Sequence, residues 1–236
     1  MSAGTLYVVA TPIGNLEDVT LRALRVLKEV DLVACEDTRR TRGLLTHFGI
    51  HAPVTSYFEH NKLVKGEALL RALQAGKSVA LVTDAGTPGV SDPGFLLVRQ
   101  ARQAGVPVVP VPGPSAVVAA LSAAGVPADR FVFEGFLPVK PGRRRRRLEA
   151  LHALGTTVVC YESPHRIAAT LAAVRDVWGE AEVVVARELT KQFEEVLAGP
   201  PGALLERLAG GRARGEFTLV IPPAARRALP YTKGPC

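Results

Sequence analysis

The chain reads as an α/β protein in two parts, and three observations predict it. Short β-branched runs alternate with helix-like segments along the whole length, the pattern of parallel α/β architecture. A Pro- and Gly-rich loop, Pro110 to Pro114, interrupts that alternation near the middle. At 236 residues and 47% hydrophobic side chains, the chain is near the length at which one core divides into two.

The first part carries five strand-like runs, Thr5–Ala10, Leu32–Cys35, Val54–Tyr57, Val79–Thr83 and Val108–Val111. Helical patterns separate them. Leu21, Leu24 and Leu27 repeat at helical spacing, as do Leu69, Leu70 and Leu73, which end at Gly76 as a C-terminal stop. Ser115, after the Pro-Gly loop, suits the N-cap of an apolar helix reaching about Ala124. Five more strands are predicted at Phe131–Glu134, Thr156–Tyr161, Val183–Arg187, Glu194–Leu197 and Phe217–Ile221. No full helix fits between Arg187 and Glu194, so part of this second sheet is expected to be antiparallel. Residues 1–113 and 114–221 are therefore read as two domains, and 222–236, with three prolines, as a poorly ordered tail.

Composition narrows the function. The uncharged stretch Ala104 to Ala128 could span a bilayer by length, but Pro107, Pro110, Pro112 and Pro114 forbid a continuous helix. Met1 to Ala10 lacks the basic start of a secretion signal, so a cytoplasmic location without membrane attachment is expected. Cys35, Cys160 and Cys236 lie far apart without CxxC spacing, which excludes a zinc cluster and predicts core packing for the first two. His47 and His51 have a metal-like interval, but Gly49 between them is expected to end a helix, so no metal site is assigned. Net charge is +7, mostly arginine. The run Arg143 to Arg147 places five guanidiniums side by side; either a polyanion offsets their repulsion or they form a solvated basic loop.

Four loops at strand ends carry the chemistry, because ligands of open α/β sheets gather beyond the carboxyl ends of strands. Thr11-Pro12-Ile13-Gly14-Asn15-Leu16 follows the first strand, with Pro12 fixing the backbone and Gly14 allowing close approach. Thr83-Asp84-Ala85-Gly86-Thr87-Pro88-Gly89-Val90 follows the fourth. Farther along it, Asp92 and Pro93 suit a helix cap, whereas Asp84 has no local structural role and is read as a ligand for hydroxyls or an amine. Pro112-Gly113-Pro114-Ser115-Ala116 presents backbone amides and a hydroxyl. Tyr161-Glu162-Ser163-Pro164-His165-Arg166 places Ser163 and Pro164 as N-cap and first residue of a helix. Neither GxGxxG after the first strand nor GxxxxGK[ST] occurs, which removes a dinucleotide fold and a P-loop.

Taken together, TPIGN, EDTR at Glu36 to Arg39, TDAGTPGVSDPG, PGPSA, EGFLP at Glu134 to Pro138, YESPHR and ARELTK at Ala186 to Lys191 resemble the tetrapyrrole methylase family of S-adenosylmethionine-dependent methyltransferases, in its ribosomal RNA branch. The likeness spans Thr5 to Ile221 and rests on seven motifs in order. It implies two αβα domains of the class III methyltransferase kind, with the cofactor S-adenosyl-L-methionine in the cleft between them, and a homodimer. It implies 2′-O-ribose methylation of a cytidine in the decoding region of small-subunit ribosomal RNA, with that RNA or the small subunit as partner. By position it implies Pro12, Ala85, Gly86, Thr87, Val90, Ser115, Ala116, Tyr161 and Ala186 at the cofactor, to which Asp84 is added on physical grounds.

Glu188, Lys191 and His165 are the candidates to orient or deprotonate a ribose hydroxyl, with Asp84 beside them. For phosphate contact the candidates are Arg39, Arg40, Arg143, Arg144, Arg145, Arg146, Arg147 and Arg166. This chain has Gly86-Thr87-Pro88 where the tetrapyrrole-acting branch has a Gly-Asp-Pro core, and it lacks that branch's glycine-rich first loop. An RNA 2′-O-methyltransferase therefore ranks ahead of a tetrapyrrole C-methyltransferase, and both ahead of a non-catalytic RNA-binding protein on the same fold.

Overall fold

The computed structural model describes residues 3–92, 94–210 and 213–223. Pro93, Cys236 and most of the expected tail lie outside the described residues. The chain divides into two compact units, Met1–Ser115 and Ala116–Cys236.

In the first unit, strands β1 (Leu6–Val9), β2 (Leu32–Cys35), β3 (Val54–Ser56), β4 (Val79–Leu81) and β5 (Val108–Val111) alternate with α1 (Leu21–Glu29), α2 (Thr38–His47), α3 (Lys62–Gln74) and α4 (Gly94–Gln103). All strand pairings are parallel, in the order β3-β2-β4-β1-β5. Strands buried on both faces must be apolar throughout. Accordingly α1 and α2 set Val26, Leu27 and Leu45 on one face against Val9, Val33 and Ala80. On the other face α3 and α4 set Leu69, Leu73, Leu97 and Ala101 against Leu6, Ala34 and Leu81.

The α1 stripe differs from the leucine repeat. Ala23, Val26 and Leu27 are buried, while Leu21 is 86% exposed. One stripe of a helix faces the sheet, and Ala23 and Val26 share it with Leu27 while Leu21 falls outside it. Gly76 and Gly49 do end their helices, with φ of 90° and 63°, a backbone region open to glycine at little cost.

The second unit pairs β6 (Phe131–Phe136), β7 (Thr157–Glu162), β8 (Val183–Arg187), β9 (Glu195–Gly199) and β10 (Phe217–Ile221) in the order β6-β7-β10-β8-β9. Only β6 and β7 run parallel; the other pairings are antiparallel, as expected from the short link between β8 and β9. Helices α6 (Pro141–Ala153), α7 (Ile167–Trp178) and α8 (Pro201–Leu208) bury Leu148, Leu151, Leu171, Val174 and Leu204 on one face. The apolar α5 (Ala116–Ala124) covers the other with Val117, Ala120 and Leu121. Each unit is thus a three-layer αβα sandwich, and Cys35 and Cys160 are free and buried in the two cores.

Two local expectations are corrected. Arg143 to Arg147 is no loop: it forms the first turns of α6, which starts with Pro141 at its first position and is anchored by Leu148 and Leu151. A proline there is pre-set for a helix start, and the two leucines supply the buried face. Ser163 and Pro164 do not start α7, which begins at Ile167; Ser163 to Arg166 form a turn whose Ser163 carbonyl accepts from the N–H groups of Arg166 and Ile167.

Candidate functional site

Adjacent strands β1 and β4 send their connections to opposite faces of the first sheet, since α1 lies on one face and α4 on the other. Such a switch point opens a crevice at the carboxyl ends of the strands. Two of the expected loops are stitched together there. Thr11 N–H donates to Gly86 O at 2.9 Å and Gly86 N–H returns to Thr11 O at 3.0 Å. Thr11 Oγ1 donates to Thr83 O at 3.0 Å. The Pro112–Ser115 loop joins them through Thr87 Oγ1, which donates to Pro114 O at 3.2 Å. Gly86 has φ of 87°, and a Cβ on it would lie 3.5 Å from Ile13 Cγ2 and 3.8 Å from Pro114 O. A side chain would fill the convergence of the three loops, so the glycine leaves the backbone there open to close approach. Around it Pro12 is buried while Ala85 and Val90 are exposed.

Asp84, to which sequence assigned no structural role, has one: its Oδ1 accepts the Asp37 N–H at 2.9 Å and its Oδ2 lies 3.6 Å from Arg40. This ties the end of β4 to the start of α2, across 47 positions of chain. Asp92 accepts from the N–H groups of Gly89 and Gly94, fixing the far end of the same loop. Partial burial pushes the Asp92 carboxyl up against the pull of those two donors. Glu36 is also raised, by burial and then by the carboxylates of Asp84 and Asp92.

In the second unit, Tyr161 and Ala186 are register partners of the same residue, Thr218, so the three form one row across β7, β10 and β8. The row lies on the α5 side of the sheet. The rings of Phe133 and Phe136 meet Tyr161 edge-on at 4.9 and 5.8 Å, and burial raises the Tyr161 phenol.

Glu188 and Lys191 form one cluster. Lys191 Nζ donates to Glu188 Oε1 at 2.8 Å and to Glu216 Oε2 at 3.1 Å, and Glu216 N–H donates to Glu188 Oε1 at 2.9 Å. The bond from Lys191 holds Glu188 below the usual carboxylate range. Burial alone would pull Lys191 down, but Glu188 and Glu216 outweigh it and the ammonium is held up. Glu188 and Thr190 have φ of 51° and 67°; a β-branched residue there is an outlier, and the Thr190 hydroxyl is buried with no partner among the described residues. Strain and an unsatisfied polar group together mark turns kept for function. Glu216 and Gly215 were not foreseen. A Cβ on Gly215 would collide with the Glu188 side chain, and a glycine-glutamate pair before a strand was the available signal. His165 is exposed in the turn ahead of α7.

The arginines expected at RNA divide sharply. Arg147 makes a two-pronged bond to Glu134, Nε to Oε1 at 2.6 Å and Nη2 to Oε2 at 2.5 Å. Arg144 is buried, and Arg145 pairs with Glu149 one turn on. Arg166 is committed internally: it donates to Leu137 O and pairs at 3.3 Å with Glu162, which is buried. Those four are buried or paired within the protein. Arg143 and Arg146, three apart on α6, and Arg39 on α2 are exposed and have no ion pair among the described residues. Arg40 is exposed but leans on Asp84. Among the described residues no group of three His, Cys, Asp or Glu could hold a metal ion, and no helix is long and apolar enough to cross a membrane.

Comparison with known proteins gives the family. The sequence pattern of the Tetrapyrrole (Corrin/Porphyrin) Methylases matches residues 5–205. The ribosomal RNA small subunit methyltransferase I of Pseudomonas aeruginosa is 54% identical over 94% of this chain and 79% of its own. The protein of the same name from Escherichia coli O157:H7 is 52% identical over 93% and 78%. Among solved structures, diphthine synthase superposes with a TM-score of 0.73 at 16% identity, covering 93% of this chain and 90% of its own. A Thermus thermophilus uroporphyrin-III C-methyltransferase complexed with S-adenosyl homocysteine gives 0.63 at 20% identity, covering 92% and 97%. At such identities the structures show a shared fold. With the family pattern over most of its length and relatives above half identity, the chain belongs to the tetrapyrrole (corrin/porphyrin) methylase family.

Proposed function

We propose that the protein transfers a methyl group from S-adenosylmethionine to the ribose 2′-hydroxyl of a cytidine in the decoding region of small-subunit ribosomal RNA, acting in the cytoplasm as a homodimer. The observation that carries this reading is the identity above 50%, over more than nine-tenths of the chain, to relatives named for that RNA. The crevice fits the cofactor, because Gly86 leaves its backbone approachable where three loops of small residues converge. Pro12, Asp84, Ala85, Gly86, Thr87, Val90 and Ser115 of the first unit would hold it, with Ala116, Tyr161 and Ala186 of the second. When bound, S-adenosylmethionine supplies a methyl group activated on a sulfonium.

The chain's own residues must then aim a hydroxyl in line with that methyl group, the largest service a protein offers to a two-body displacement. Among the described residues both hydrogen bonds to the Glu188 side chain fall on Oε1, and Oε2 is assigned to accept the ribose O–H. Lys191, held protonated, fixes the carboxylate and offsets charge near the oxygen. Arg143, Arg146 and Arg39 are assigned to phosphates. The test is incubation of purified protein with labelled cofactor and small subunits from a strain lacking the enzyme. One ribose-methylated cytidine mapped by mass spectrometry is expected; label in a tetrapyrrole, or none in RNA, would refute the reading.

A further inference from the structure

Beside the Glu188–Lys191 turn, within the second unit, lies a cavity of about 630 Å³ walled by Arg187, Glu188, Phe193, Glu195, Arg207 and Arg214. It lies within the size range of small-ligand sites. Its acidic walls are already neutralised: Glu195 sits between Arg207 at 3.1 Å and Arg187 at 3.8 Å, and Glu188 is paired with Lys191. That leaves Arg214, exposed and without an ion pair among the described residues, as surplus positive charge. Gly215 packs against Glu188, and Glu188 and Glu216 exchange bonds across the gap, so the backbone that carries Arg214 is fixed. Opposite it, Phe193 holds its ring 67% exposed on the turn that contains strained Glu188 and Thr190. Core packing accounts for neither feature.

An exposed ring and an unneutralised guanidinium on the walls of one cavity are the combination that binds a nucleotide of a single strand, base on the ring and phosphate on the fork. We infer that this cavity takes one nucleotide of the substrate RNA, stacked on Phe193 and held by Arg214. The inference rests on the RNA reading above and assigns it a contact point no motif indicated.

Fluorescence anisotropy with labelled single-stranded RNA and with purified small ribosomal subunits tests it, over a series of salt concentrations. Phe193→Ala should weaken binding by about 5- to 150-fold, the usual share of one stacked base, and Phe193→Trp should restore it. Arg214→Gln should flatten the slope of log affinity against log salt by about 0.7, one phosphate's worth. Both positions are exposed, and calorimetry should find cofactor affinity unchanged in each. An Arg143→Ser/Arg146→Ser variant separates the two ideas. If that variant loses RNA affinity while both cavity variants bind like the parent, the cavity is no RNA site although the RNA reading stands. If the parent binds neither RNA nor subunits, both fall.

Discussion

The crevice of the first unit and the turn at Glu188 in the second are built by opposite means. At the crevice the work is done by backbone: Thr11 and Gly86 exchange N–H···O bonds, and a glycine at φ of 87° keeps space open. At the turn it is done by charged side chains, with Glu188, Lys191 and Glu216 locked together where the backbone is strained at Glu188 and Thr190. A backbone cradle suits a ligand recognised by shape. A strained turn carrying a fixed carboxylate suits a step in which a proton or hydroxyl must be aimed. On the proposed function, binding falls to one region and chemistry to the other, and substitutions at each should affect different measurements.

The largest effect is expected at the turn. Glu188→Gln keeps the shape but removes the charge proposed to accept the ribose hydroxyl, so turnover should fall by about 10²- to 10⁴-fold, the usual range for a positioned acid or base. Calorimetric cofactor affinity should stay at the parent value. A fall in affinity with turnover intact would invert the division of labour.

At the crevice the reverse pattern is expected. Gly86→Val puts a β-branched side chain at a φ that disfavours it, a strain of about 1–3 kcal/mol, and into the space beside Ile13. The strain should lower stability, and the side chain placed in the crevice should lower cofactor affinity about tenfold or more, a loss of about 1.4 kcal/mol of binding. Parent-like affinity in a folded variant would place the cofactor elsewhere.

This contrast also explains what could be read from the chain. Strand positions, the mixed second sheet and the loops at the strand ends were legible because Gly, Pro and β-branched runs act locally. Interactions between distant residues were not. Asp84 reads as free because its partner Asp37 lies 47 positions away. Arg143 to Arg147 reads as uniform charge, yet Glu134, which binds Arg147, is on another element 13 positions away. Ser163-Pro164 imitates a helix start, but buried Glu162 already takes the Ser163 N–H and the Thr170 hydroxyl, and α7 starts only at Ile167.

The divided arginines give a smaller effect that sharpens the comparison within one helix. Replacing Arg143 and Arg146 by Ser should lower RNA affinity and flatten the salt slope by about 1.4, two single-strand phosphates. Replacing Arg145 and Arg147 by Ser should leave that slope near the parent value, because Glu149 and Glu134 already neutralise them. Equal slopes in the two double variants would mean the run acts as diffuse charge.

The smallest expected effect is an absence of change, and it tests which group receives the hydroxyl proton. Protonating Glu188 breaks its bond from Lys191, so the pair's contribution is present above the ordinary glutamate range and is lost only as pH falls through a value below about 4.3. Lys191, held up by Glu188 and Glu216, keeps its contribution through the ordinary lysine range and loses it only above about 10.4. Neither group titrates in between. Initial rates of methyl transfer should therefore be level from about pH 6 to about pH 9 if Glu188 aims the hydroxyl. An imidazole acting as the base would instead make the rate fall toward the acid end of that window. Such a fall in the parent, absent from a His165→Gln variant, would move the role from the strained turn to the exposed turn ahead of α7.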